Sequence, residues 1–296
     1  MSPDRVQAPF GRRAVAVIDR TEYGPYVVLG VSDDTGPEPQ AGQFYMLTAA
    51  ERWGGGEGER PFLPRAFSVL RASNPAHPPP SHRELQFLLH DVGPGTRRLC
   101  ELGPGEELLI VGPLGVPFAP PRDGRRVLVV GGGVGIAPLA ILQDQHLAET
   151  VLLGFRDAEH AEAAALMTQA RVATDDGSAG HGGLVTDLLE EELHLDAHRE
   201  VYACGPPAML EAVRQLCAQR DVPAQLALES GMACGFGACF GCVVHTRDGL
   251  IRLCVDGPVL DASRLESVVG VGASFEAGRL TRPPIRRAGM ASGGQA

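Results

Sequence analysis

Met232-Ala-Cys234-Gly-Phe-Gly-Ala-Cys239-Phe-Gly-Cys242-Val-Val-His245, with a fourth cysteine at Cys254, is the stretch around which the rest of the chain is organised. Its spacing, C-x4-C-x2-C-x11-C, matches that of a plant-type [2Fe-2S] site, in which one tight loop supplies three thiolates and a later strand the fourth. Gly235, Gly237 and Gly241 stand between the cysteines, where a loop wrapped round a small inorganic core must bend sharply and aim amide N–H groups at sulfur. Two alternatives fit less well. A structural zinc site usually takes two cysteine pairs set well apart. A disulfide framework calls for a small secreted domain and an even count, whereas this chain has 296 residues and seven cysteines.

That length predicts two or three compact units. Aromatic residues are 5% with a single Trp, so aliphatic packing must dominate, while 38 Gly and 24 Pro favour turns and short elements over a helical bundle. A formal net charge of -10 argues against a nucleic-acid partner, which needs a basic patch to displace counterions. It leaves room for a protein partner. No apolar run reaches the ~20 residues of a membrane span, and residues 1–9 lack the apolar core of a signal peptide. The expected setting is the cytoplasm, where thiols stay reduced.

Along the chain, Arg13 to Val31 reads as a hairpin turning near Tyr23-Gly24-Pro25. Strands are predicted at Gly42–Leu47, Ala66–Leu70, Glu84–His90, Leu108–Val111 and Gly115–Phe118, with loops at Glu51–Glu59 and Pro75–Pro80. The sum is an antiparallel barrel of about six strands. After Pro120-Pro121 the pattern changes. Val127-Leu-Val-Val130 is a short continuous apolar run of the kind buried on both faces of a parallel sheet. Predicted helices at Pro138–Leu147, Glu159–Gln169, Val185–Glu192 and Pro207–Gln219 alternate with strands at Val151–Phe155, Ala170–Thr174 and Val201–Ala203. Such alternation indicates a doubly wound parallel α/β domain.

Three further constellations carry chemistry. Arg65-Ala66-Phe67-Ser68 offers a cation and a hydroxyl near one cleft, and Gly95-Thr96 ahead of Arg97 looks like a helix start; together they suit a dinucleotide pyrophosphate. Gly131-Gly132-Gly133-Val134-Gly135 lies between a buried strand and a helix, where backbone can approach phosphate. It departs from G-x-G-x-x-G, and the acidic ribose ligand is not in the usual place. Cys204-Gly205-Pro206 ends a parallel strand, where open α/β sheets bind ligands. Asp175-Asp176-Gly177-Ser178 reads as a loop, and His90, His181 and His245 as structural.

The order of these motifs resembles the ferredoxin-reductase family and, more narrowly, the electron-transfer subunits of NAD-dependent dihydroorotate dehydrogenases. The resemblance implies β plus α/β architecture with an N-terminal antiparallel FAD-binding β-barrel over 12–120. It implies a doubly wound NAD-binding domain over 121–226 and a C-terminal [2Fe-2S] module over 227–272, between flexible tails at 1–11 and 273–296. It places Arg65, Ala66, Phe67, Ser68, Leu88, Leu89, His90, Gly95 and Thr96 at FAD, with His90 otherwise structural. Gly131, Gly132, Gly133, Gly135, Cys204, Gly205 and Pro206 would frame NAD(H), and Cys234, Cys239, Cys242 and Cys254 would bind the cluster. In such subunits the gap before the fourth cysteine is often longer than the eleven residues here. No acid-base residue is implied, because hydride and electron transfer are cofactor chemistry. The implied partner is an FMN-containing catalytic subunit that oxidises dihydroorotate, in a heterotetramer of two of each. Reductase subunits of sulfide dehydrogenase, hydrogenase or ferredoxin-NADP reductase type share this pattern. NAD against NADP stays open between Arg156 and Asp157.

Overall fold

The computed structural model describes residues 11–54, 61–72 and 83–268. The tails expected at 1–11 and 273–296 fall outside them except for Gly11, as do the loop at Pro75–Pro80 and most of that at Glu51–Glu59.

Six strands close the barrel: β1 (Arg13–Tyr23), β2 (Tyr26–Ser32), β3 (Phe44–Ala49), β4 (Arg65–Ala72), β5 (Glu84–His90) and β6 (Glu107–Leu114), in the order β1-β2-β5-β4-β3-β6. Alternation drives it. Val15 and Val17 of β1 point inward while their neighbours face solvent, and Leu29, Leu47, Phe87 and Ile110 fill the interior. A short helix, α1 (Pro94–Cys100), follows β5. Gly115–Phe118, predicted as a strand, is not one. Gly115 takes φ +81°, Pro117 has no N–H to give a ladder, and only Val116 makes a single bridge, to Pro258.

The second layer is a seven-stranded sheet built from β7 (Arg126–Gly132), α2 (Ala137–Asp144), β8 (Ala148–Phe155), β9 (Arg171–Thr174), β10 (His181–Gly182), α3 (Val185–Leu195), β11 (Arg199–Cys204), α4 (Pro207–Gln219) and β12 (Ala224–Ala227). A two-stranded hairpin, β13 (Val243–Thr246) and β14 (Gly249–Arg252), the short helix α5 (Leu253–Asp256) and β15 (Val259–Asp261) complete the chain. The sheet order is β10-β9-β8-β7-β11-β12-β15, parallel except for β15. The central position of β7 explains its apolar run, since Val127 to Val130 are buried on both faces. On α4, Leu210, Val213 and Cys217 recur at helical spacing and are buried, each large aliphatic contributing about 1.5–3 kcal/mol.

The predicted helix at Glu159–Gln169 is instead a run of 3-10 turns, His160–Leu166. Tertiary contacts hold both of its ends. Asp157 Oδ1 accepts from His160 N and lies 2.7 Å from His160 Nδ1, while Arg71 of the barrel donates to Leu166 O at 2.6 Å. Barrel and sheet are packed directly together through α2 and β4, Arg71 pairing with Asp144 at 2.9 Å. The cysteine loop is an excursion between β12 and β15, so both of its ends are anchored in the sheet.

Candidate functional site

A cavity of ≈ 260 Å³ opens at the barrel wall facing the sheet. Arg65, Ala66, Phe67 and Ser68 of β4, Leu88 and His90 of β5, and Thr96 of α1 line it. Leu89 does not, because successive strand residues alternate and it points into the barrel core. Gly95 lies under the Arg65 side chain, where a Cβ would sit 2.6 Å from Arg65 Nε. The Arg65 guanidinium is 5.8 Å above the Trp53 ring and donates to Leu63 O at 2.6 Å. Burial pushes its pKa down, and among the described residues no carboxylate pairs with it. A half-buried cation held flat by a glycine and an indole, with no counterion, suits a phosphate. The Thr96 hydroxyl is turned back on its own loop, accepting from Val92 N and Gly93 N at 2.9 and 3.0 Å.

The far wall of this cavity comes from Leu228, Glu229, Ser230 and Met232, the run leading into Cys234. Sequence reasoning missed these residues, since their only signal was adjacency to the cysteines. Ser230 Oγ is buried with no hydrogen-bond partner among the described residues, and the neighbouring Glu229 side chain is exposed at the cavity wall. The Ser230 hydroxyl suits a polar ligand.

A second cavity, ≈ 420 Å³, lies at the carboxyl ends of the sheet strands. Gly132, Gly133 and Pro206 line it, with Tyr26, Arg156, His160, Asp175 and Met209. The other members of the predicted set pack beneath. A Cβ on Gly131 would lie 2.9 Å from Ile136 Cγ2, one on Gly135 2.5 Å from Cys204 O, and one on Gly205 2.5 Å from Met209 Cε. Cys204 is buried and lines neither cavity, and desolvation raises its thiol pKa well above the ordinary value. Arg156 Nε is 3.2 Å from Asp157, and two hydrogen bonds from His160 hold the Asp157 carboxyl far below the usual range. His160 stacks edge-on with Tyr26 (5.6 Å) and His90 (5.7 Å), so one aromatic cluster touches both cavities. Burial, then the neighbouring His160, lowers the His90 pKa and keeps its imidazole neutral.

The four motif cysteines, Cys234, Cys239, Cys242 and Cys254, lie on one loop and the start of α5. They fall in two pairs by their backbone bonds to sulfur: Cys239 N donates to Cys234 Sγ and Cys254 N to Cys242 Sγ, each at 3.4 Å. Among the described residues no three His, Cys, Asp or Glu side chains converge on one metal-ion position. Two pairs suit a two-iron cluster, with two thiolates per iron; a tetrahedral zinc would need all four round one point. Burial opposes ionisation of Cys234, but N–H donors from Cys239, Phe236 and Ala238 hold its thiol at about 7. Cys242 and Cys254 are buried, while Cys239 is exposed beside Phe236 and Phe240, which are 46% and 62% exposed.

Compared with known proteins, the chain is 34% identical over 232 residues to the electron transfer subunit of dihydroorotate dehydrogenase B (NAD(+)) from Clostridium acetobutylicum, covering 77% of this chain and 87% of that one. The chain belongs to this family. The dihydroorotate dehydrogenase B electron transfer subunit from Caldanaerobacter subterraneus is 37% identical over 239 residues, 78% of this chain and 88% of that one. The family described as the iron-sulfur cluster binding domain of dihydroorotate dehydrogenase B matches residues 229–266, from the wall of the barrel cavity through all four cysteines. Among solved structures, the NADH-dependent reduced ferredoxin-NADP oxidoreductase superposes with a TM-score of 0.71 at 24% identity, covering 90% of this chain and 96% of that one. The ferredoxin reductase of carbazole 1,9a-dioxygenase gives 0.58 at 21% identity, over 72% of this chain and 66% of that one. At those identities the likeness is one of fold. For a dihydroorotate dehydrogenase B electron transfer subunit, no helix among the described residues is long and apolar enough to cross a membrane.

Proposed function

We propose that this chain relays electrons between NAD(H) and an FMN-containing dihydroorotate dehydrogenase catalytic subunit in pyrimidine biosynthesis, using FAD in the barrel cavity and a [2Fe-2S] cluster in the cysteine loop. The observation that carries this is the continuity of residues 228–234: the wall of the barrel cavity runs without a break into the first cysteine. When bound, the flavin supplies exchange between a two-electron hydride and single electrons, and the cluster carries one electron at a time.

The residues present do the positioning. Arg65, flattened between Gly95 and Trp53, supplies a cation for the FAD pyrophosphate. Gly132 and Gly133 keep the floor of the sheet cavity open for the nicotinamide nucleotide, and Met209 and Pro206 form its wall. Asp157 holds Arg156 by its Nε, which favours a ribose hydroxyl over a 2'-phosphate and so supports NAD. The exposed Cys239 edge, rimmed by Phe236 and Phe240, supports docking of the catalytic subunit there. Seven free cysteines suit a cytoplasmic setting.

The test is the visible spectrum and iron content of anaerobically purified protein, followed by NADH titration in the presence of the co-purifying subunit. Flavin bands, two irons per chain ([2Fe-2S]) and an FMN-bearing partner that oxidises dihydroorotate are expected. A colourless protein holding one zinc would overturn the proposal.

A further inference from the structure

The hairpin β13–β14 is short: Thr246 pairs with Gly249 across a turn of Arg247 and Asp248, and Gly249 takes φ +111°. It returns the chain so that Arg252 stands opposite Val243, beside Cys242, and lies across the cysteine loop. Arg252 Nη1 donates to Gly237 O at 2.9 Å, and the guanidinium carbon is 5.2 Å from the centre of the Phe240 ring. Its nearest countercharge is Asp256, at a long 4.0 Å.

Gly237 lies between Cys234 and Cys239 on the loop, and the Cys239 N–H donates to the Cys234 sulfur at 3.4 Å. Arg252 is therefore held on the same short loop that carries Cys234 and Cys239. A cation fixed there adds positive charge beside the sulfur ligands. Donors to cluster sulfurs and nearby positive charge both stabilise the more negative, reduced state, and both raise the potential.

We infer that Arg252 is a positioning residue that raises the reduction potential of the centre in the cysteine loop through the positive charge it holds on the Gly237 carbonyl. The inference rests on the [2Fe-2S] assignment proposed above. It goes beyond ligation, because Arg252 bonds to a backbone carbonyl of the loop and not to a cysteine, and the short return hairpin places it there. With a higher potential, the cluster accepts electrons from the dihydroorotate-oxidising subunit more readily and passes them to the flavin less readily. Arg252 thus biases the direction of the relay.

The experiment is an anaerobic redox titration of the full-length, FAD-loaded protein, following the cluster by electron paramagnetic resonance and the flavin by absorbance. Arg252→Gln keeps a donor for Gly237 O and removes the charge. A lower cluster midpoint with the flavin couple unmoved is expected, and Arg252→Lys should lie nearer wild type. Asp256→Asn, which removes the countercharge, should move the midpoint the other way. If Arg252→Gln takes up its iron and titrates as wild type, the charge has no such role. If Arg252→Gln loses its iron, Asp256→Asn decides: an upward shift supports the inference and an unmoved midpoint overturns it. Wild-type protein without a [2Fe-2S] signal would overturn the cluster assignment itself, and the inference with it.

Discussion

Gly235 rests directly on Met46: a Cβ built on the glycine would lie 2.5 Å from Met46 Cγ. Met46 is the register partner of Ala66, and Ala66 lines the barrel cavity. One strand pair thus separates the cysteine loop from the proposed flavin site, which keeps the two redox centres within a few residues of each other.

Gly235→Ala should therefore fail at the loop. The residue takes φ +80°, where a Cβ costs about 1–2 kcal/mol before any clash with Met46. Iron and acid-labile sulfide per flavin are expected to fall sharply, with flavin content retained. Full iron occupancy would show that the close approach is dispensable.

Arg65→Ala should weaken FAD binding. Removing one or two charge-assisted contacts to phosphate costs about 1.5–3 kcal/mol, a roughly 10- to 100-fold rise in the flavin Kd. Flavin retention after gel filtration and fluorescence titration of apoprotein would measure it. An unchanged Kd would remove Arg65 from the flavin site.

Cys239→Ala should abolish the cluster and leave FAD bound and reducible by NADH. The thiol is exposed and its neighbours do not line the barrel cavity. Loss of flavin absorbance as well would mean that the loop and the cavity do not load independently.

Acid sensitivity should centre on Glu211 of α4, which accepts from Arg214 (2.7 Å), Gln215 (2.7 Å) and Val268 N (2.8 Å) and so ties down the end of the described chain. Hydrogen bonding from Arg214, against the penalty of burial, lowers its pKa from 4.5 to about 2. Because the folded value is the lower one, this stabilisation is present above 4.5 and is lost as pH falls toward 2. Glu211→Gln should cost about 1–3 kcal/mol at neutral pH, and its Tm deficit should shrink over that acid window. A deficit independent of pH would exclude the carboxylate as its source.

Asp157→Asn should narrow the preference for NADH over NADPH. Freed from its neighbouring carboxylate, the Arg156 guanidinium becomes available to a 2'-phosphate. Stopped-flow flavin reduction by each nucleotide would give the ratio, and an unchanged ratio would place discrimination elsewhere.

By itself the sequence determined what is local. Cysteine spacing, the alternation at the start of β1, the apolar runs of β2 and β7 and the helical period of α4 follow from short-range sterics and burial periods. These sufficed for barrel, sheet, cysteine loop and the arginine-serine strand. Tertiary structure decided what depends on chain segments far apart. Gly115–Phe118 read as a strand because apolar residues there suggest one, but a proline and a positive φ take it out of the ladder. Glu159–Gln169 read as a helix, but Asp157 and Arg71 claim the ends of His160–Leu166, which runs as 3-10 turns. The glycine loop looked uniform, yet Gly132 and Gly133 face the cavity while Gly131 and Gly135 are small to make room for Ile136 and Cys204. Glu229 and Ser230 carry no motif at all. Only the return of β12 and β15 to one sheet brings them against β4, because which faces meet is set by the packing of distant elements and not by any local period.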